Sequence, residues 1–195
     1  MLSGVAFGCG PRSPGPAPAE PAIVCDQYHF RDGEAHPGQS VPVLREYDGP
    51  REQVDMRWGL IPYAARGNPG EQPLIHAPLV GLADSPLYRG PWLNGQRCLQ
   101  LATSYQFWRT DDQGRRSRWQ VRARHQEEFG LAALWDRSQP ADGAMIESCA
   151  LVTLPDGMPV ILGPDALAAW LTGTELEAAA VLVPLPDSDL HVTPM

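Results

Sequence analysis

Arg97-Cys-Leu-Gln-Leu-Ala-Thr-Ser-Tyr-Gln-Phe-Trp108 decides how the rest of this chain is read. Leucines and aromatics fill it and no glycine or proline interrupts it, so it reads as one strand. Thr110-Asp-Asp-Gln-Gly114 follows as a turn, with aspartates to close it and a glycine for a positive φ. Ser117 to Arg124 then alternates: Trp119, Val121 and Ala123 fall on one face, Arg118, Gln120, Arg122 and Arg124 on the other. Phe129 to Asp136 reads as a third strand. The three predict an antiparallel meander with one basic face.

Toward the C-terminus, Ser148–Leu154 and Met158–Leu162 read as buried strands. Gly163-Pro164-Asp165 opens a helix over Ala166–Leu171, with proline in the first turn, where its missing N–H costs nothing. Thr174 caps a second short helix whose early carboxylates suit the helix dipole. Leu190–Thr193 reads as an edge strand. Toward the N-terminus, Val41–Glu46 and Val54–Ile61 are strands, and residues 64–95 are mostly loop. Residues 11–22 carry Pro11, Pro14, Pro16, Pro18 and Pro21, and proline resists both helix and central strand. The expected organisation is a partly extended, proline-rich segment over residues 1–36 and one compact domain over 37–195. The fold class is α+β, mainly β, with an antiparallel core and short flanking helices. Trp58, Leu60, Leu99, Leu101, Leu131, Leu134, Val152, Val160 and Leu162 are its expected buried side chains.

With 43% hydrophobic residues the 195-residue chain can build a core, and no apolar run reaches the ~18 residues of a membrane helix. The net charge is −8, which repels a polyanion, but six arginines cluster at Arg109, Arg115, Arg116, Arg118, Arg122 and Arg124. From His125 onward there are 11 acidic residues and one basic, Arg137. There is no lysine, which excludes Schiff-base and P-loop chemistry. Cys9, Cys25, Cys98 and Cys149 show no C-x-x-C spacing, and the five histidines no metal-ligand spacing. Free thiols in a reducing cytoplasm, with no metal and no cofactor, are the expectation.

Taken in order, several segments resemble the SRAP family, the SOS-response-associated, abasic-site-processing proteins. They are Pro37-Gly-Gln-Ser-Val-Pro-Val43, Arg57-Trp-Gly-Leu-Ile-Pro62, Pro73-Leu-Ile-His-Ala77, Arg97-Cys-Leu99 through Trp108, Phe129-Gly-Leu-Ala-Ala-Leu-Trp135, and Met158-Pro-Val-Ile-Leu162 with Trp170-Leu171. The resemblance implies a SRAP fold. It also implies a chemistry in which methionine removal exposes an N-terminal cysteine. That residue's amine and thiol condense with the aldehyde of an abasic site in single-stranded DNA, giving a thiazolidine cross-link. An asparagine, a glutamate and a histidine complete such a site.

The positions that match are altered here. Residue 2 is Leu2, whose bulk disfavours loss of Met1; the asparagine position is His76, the glutamate position Phe107 and the histidine position Pro155. The arginine before Met158 is Gly157, and Pro78 replaces the arginine after Ala77. Leu2, Phe107 and Pro155 cannot exchange a proton. Cys9, in Cys9-Gly10-Pro11-Arg12, is the candidate for a cysteine exposed by cleavage after Gly8, and His76 is the surviving proton carrier. Trp58 and Trp108 are candidate base-stacking residues or core residues. Arg109, Arg115, Arg116, Arg118 and Arg122 are candidate phosphate contacts. Three readings follow: a pseudo-enzyme that binds a partner or single-stranded DNA weakly, an active cross-linking protein using a processed Cys9, or an acidic protein-interaction module.

Overall fold

The structure, a computed structural model, describes residues 23–30, 33–141 and 143–195. Its strands in order are β1 (Ile23–Phe30), β2 (Gly33–Ala35), β3 (Ser40–Arg45), β4 (Glu52–Trp58), β5 (His76–Pro78), β6 (Arg97–Ala102), β7 (Ser104–Thr110), β8 (Arg116–Ala123), β9 (Phe129–Ser138), β10 (Ile146–Thr153), β11 (Ile161–Leu162) and β12 (Leu190–Pro194). Three short helices join them: α1 (Arg89–Leu93), α2 (Leu167–Thr172) and α3 (Glu175–Ala180). One sheet has five strands in the order β12-β8-β7-β1-β2, and a second has seven in the order β11-β9-β6-β3-β4-β10-β5. A further β9–β10 pairing closes β9, β6, β3, β4 and β10 into a ring. The mainly β, α+β expectation holds.

The stretch that opened the reading is two strands, not one. Thr103 separates β6 from β7 and sends them into different sheets. Its amide and hydroxyl both bond the His29 carbonyl, at 2.7 and 3.2 Å, so at this residue the backbone changes partners from the ring to β1. The expected meander divides in the same way: β7 and β8 form a hairpin in the five-stranded sheet, while β9 pairs with β6 and β10 in the ring. The sheet also begins earlier than the expected domain, because β1 and β2 precede residue 37. The strand expected at Met158–Leu162 is shorter: Pro159 bridges Thr153, and only Ile161–Leu162 forms β11. Within the 64–95 loop, β5 and α1 are regular.

Two apolar clusters support these elements. Tyr28, Trp58, Tyr105, Phe107, Val121 and Phe129 fill the space between the sheets, continuous with Cys98, Cys149 and Trp135 inside the ring. Leu60, Leu99, Leu134, Val152, Val160, Leu162 and Trp170 pack the other side of the ring against the helices. The expected core is buried, except that Leu101 is only half-buried. The Trp170 indole donates to the Cys98 carbonyl at 2.8 Å, which docks α2 on β6. Thr174 caps α3 as expected, with its hydroxyl accepting from the Glu177 amide and the Glu177 carboxylate accepting from the Thr174 amide. At one end of the ring, Arg45 and Arg137 lie over Trp135 at 4.7 and 5.1 Å, and Glu147 bridges the two guanidiniums at 2.9 and 2.8 Å. Burial pushes the Cys149 thiol up to about 12 and the Cys98 thiol well above its ordinary value. Both are protonated at neutral pH and serve as core residues.

Candidate functional site

Of the positions that the resemblance singles out, His76 and Phe107 border the apolar space between the sheets, with Trp58 beside them. Trp58 pairs with Cys149, and His76 with Leu151, so both flank β10 two residues apart and on the same face. Trp58 is fully buried, with Tyr28 packed on its ring at 4.1 Å and its indole donating to the Ile75 carbonyl at 3.3 Å. It has no surface for a base, and core packing accounts for it. His76 is half-buried, and its carbonyl accepts from the Tyr88 hydroxyl at 2.7 Å. Burial raises that hydroxyl to about 12, so Tyr88 stays a donor. Phe107 faces the same space from β7 and is buried in its cluster. Pro155 lies at the rim, exposed, in the turn that Leu154 and Met158 close with a 2.8 Å bond. Gly157 in that turn has φ of +92°, so an arginine there would be strained. Leu2 and Cys9 lie outside the described residues.

Sequence reading missed Cys25. Its backbone stands opposite Phe107 in the β1–β7 ladder, next to an irregularity between Cys25 and Gln27. The signal available was a cysteine opening an aromatic-rich run, Cys25-Asp-Gln-Tyr-His-Phe30, directly after the proline segment.

Strand parity divides the arginines. In β7 and β8 the residues 104, 106, 108 and 110 share one face with 116, 118, 120 and 122. That face carries Ser104, Gln106, Trp108, Arg116, Arg118, Gln120 and Arg122. Arg116 and Arg118 lie over the Trp108 ring at 5.0 and 5.5 Å. Arg109 has the opposite parity and belongs to the Phe107 face. Arg115 sits in the turn, paired with Asp111 at 2.8 Å. Backbone and side-chain bonds from Arg115 hold the Asp111 carboxyl below its ordinary value. An open groove of about 520 Å³ lined by Arg122, Arg124 and His125 continues the row at its far end.

The same face runs on to β1 and β2 as a connected polar lattice. Arg118 donates to Gln27 Oε1, and Gln27 donates to Glu34 at 2.8 Å. Glu34 faces His29 Nδ1 at 3.7 Å and His36 Nε2 at 3.9 Å, and the Gln106 amide meets His29 Nε2 at 2.9 Å. Among the described residues no group of three or more His, Cys, Asp or Glu side chains is placed to hold a metal ion. No helix among them is long and apolar enough to cross a membrane.

Comparison with known proteins agrees with this architecture. The chain is similar to the abasic site processing protein YobE of Bacillus subtilis (strain 168), 27% identical over 161 residues, which span 75% of this chain and 73% of that one. It is similar to the abasic site processing protein YedK of Escherichia coli (strain K12), 28% identical over 143 residues, 69% of this chain and 62% of that one. A crystal structure from Bordetella bronchiseptica shares the fold with a TM-score of 0.75 at 20% identity, covering 88% of this chain and 99% of that one. One from Bacteroides thetaiotaomicron does so with a TM-score of 0.74 at 20% identity, covering 86% and 79%. The profile of the SOS response associated peptidase (SRAP) family matches residues 25–195. With most of its length matched, the chain belongs to the SRAP family.

Proposed function

We propose that this SRAP protein engages DNA without capturing it covalently, as a pseudo-enzyme that holds single-stranded DNA weakly through the arginines beside Trp108. One observation carries the reading: Phe107, 4% exposed and packed in the cluster between the sheets, stands where the resemblance calls for a proton-exchanging carboxylate. A phenyl ring there cannot move a proton, and neither can Pro155 at the rim. Arg116, Arg118 and Arg122 on one strand supply charge for phosphates, which position a strand without reading its bases. The relatives named abasic site processing proteins support DNA as the partner.

A second reading, covalent capture through a processed cysteine, is favoured by one finding at Cys25 rather than at Cys9. Cys25 is opposite Phe107 in register, and the family profile begins at this residue. Loss of residues 1–24 would give Cys25 a free amine beside its thiol. Abasic-site DNA incubated with the purified protein and run on a denaturing gel separates the two readings, with an intact mass of the same sample. The expected result is no covalent band and no mass beginning at Cys25. A band that disappears in Cys25→Ala and persists in Cys9→Ala would replace the first reading with the second. No binding to single-stranded DNA even at low salt would leave an acidic protein-interaction module.

A further inference from the structure

We infer that the phosphate-binding surface continues from the arginines across β1 and β2 into a proton-gated anion site formed by His29 and His36 around Glu34. The inference rests on the DNA-binding reading above and adds its regulation. Registers align His29 with Ser104 on β7, and the neighbouring pair of Tyr105 with Val121 on β8 sets Ser104 beside Arg122. His29 therefore lies on the same face as Arg122, about 10 Å away across two strand spacings. The described charged and titratable groups near the imidazoles include Glu34 on β2, Arg118 reached through Gln27, Arg122 on β8 with His191 opposite it on β12, and Arg57, whose guanidinium donates to the Gly38 carbonyl in the turn after His36.

With neutral imidazoles, Glu34 puts a carboxylate at the edge of the basic face, and this opposes a phosphate backbone there. Imidazole is the side chain whose charge changes between pH 5 and 8. Two protonations beside Glu34 would turn this corner from one negative charge to one positive. Gln106 is built to follow that change. As oriented, its amide nitrogen meets His29 Nε2 at 2.9 Å, so that ring nitrogen accepts, and the proton sits on Nδ1 toward Glu34. Gln106 Oε1 is buried with no partner among the described residues. Turning the amide over would present Oε1 to a protonated Nε2, giving the orphaned acceptor a donor.

The experiment measures affinity for a fluorescein-labelled oligothymidine as salt is varied, at about pH 8 and about pH 5.5. Affinity at fixed low salt is expected to rise about tenfold at the lower pH, the size of one additional charge-assisted hydrogen bond to a phosphate. The salt slope should steepen by about 0.7, one further phosphate on a single strand. The double variant His29→Gln, His36→Gln should lose both changes. Glu34→Gln, which leaves both imidazoles, should bind at the higher pH more tightly than the unaltered protein. A flat pH response, a response that survives in the double variant, or weaker binding by Glu34→Gln would overturn the inference. If replacing Arg116, Arg118 and Arg122 leaves binding unchanged at both pH values, the DNA-binding reading is what fails.

Discussion

Glu147 shows how one side chain can hold a barrel end. Burial by itself would raise its carboxyl, but hydrogen bonds from Arg45 and Arg137 outweigh that and hold it below the usual carboxylate range. The depressed value means that the folded state favours the ionised form. Its stabilisation is complete above the unfolded value of about 4.3 and is lost as pH falls through the lower folded value. Glu147→Gln should therefore lower stability by about 1–2 kcal/mol at neutral pH, less toward pH 3, since it leaves the buried Arg45 guanidinium with Glu52 as its one carboxylate partner among the described residues. Denaturant midpoints across that pH range test this. An equal loss at every pH would mean that side-chain packing, not charge, is what the variant changes.

Among the elements, α3 makes the simplest case for local sequence deciding local structure. The Thr174 hydroxyl and Glu177 carboxylate satisfy each other's backbone amides, so Thr174→Ala should cost about 1 kcal/mol. A thermal melt is the measurement, and a shift within error would show that α3 contributes no stability of its own. This cap was legible because its signal lies within four residues. The β8 alternation and the β12 edge strand were legible for the same reason. The break between β6 and β7 was not, because Ala102-Thr103-Ser104 carries no glycine, proline, asparagine or aspartate and the change of partner depends on His29, distant in sequence. Nor does a run of apolar residues such as Phe129–Trp135 say which sheet will take it, since pairing is decided by tertiary contact. Of the candidate site, the positions that depart from the motifs, His76, Phe107 and Pro155, could be named from the sequence. The place of Cys25 could not, since the register that sets it opposite Phe107 is a property of the assembled sheet. Arg109 could have been assigned to the other face by counting parity alone.

For the molecule as a whole, the net charge of −8 and the Arg116–Arg118–Arg122 row act against each other. Any DNA binding should be confined to low salt, with the logarithm of affinity falling linearly against that of salt. Replacing those three arginines by serine should flatten the slope by about 2, at roughly 0.7 per phosphate, and a slope unchanged by the replacement would place the surface elsewhere. Arg109, on the opposite face, should change it little. That contrast follows from Phe107 and Trp108 being sequence neighbours whose side chains enter different environments, one between the sheets and one among guanidiniums. A strand with a period of two carries two independent scripts on one line of text. A designer could restore a carboxylate at residue 107 without rewriting residue 108, or strip the charge from β8 without disturbing the packed interior. Inserting a single residue in β7 would exchange the two scripts and ruin both.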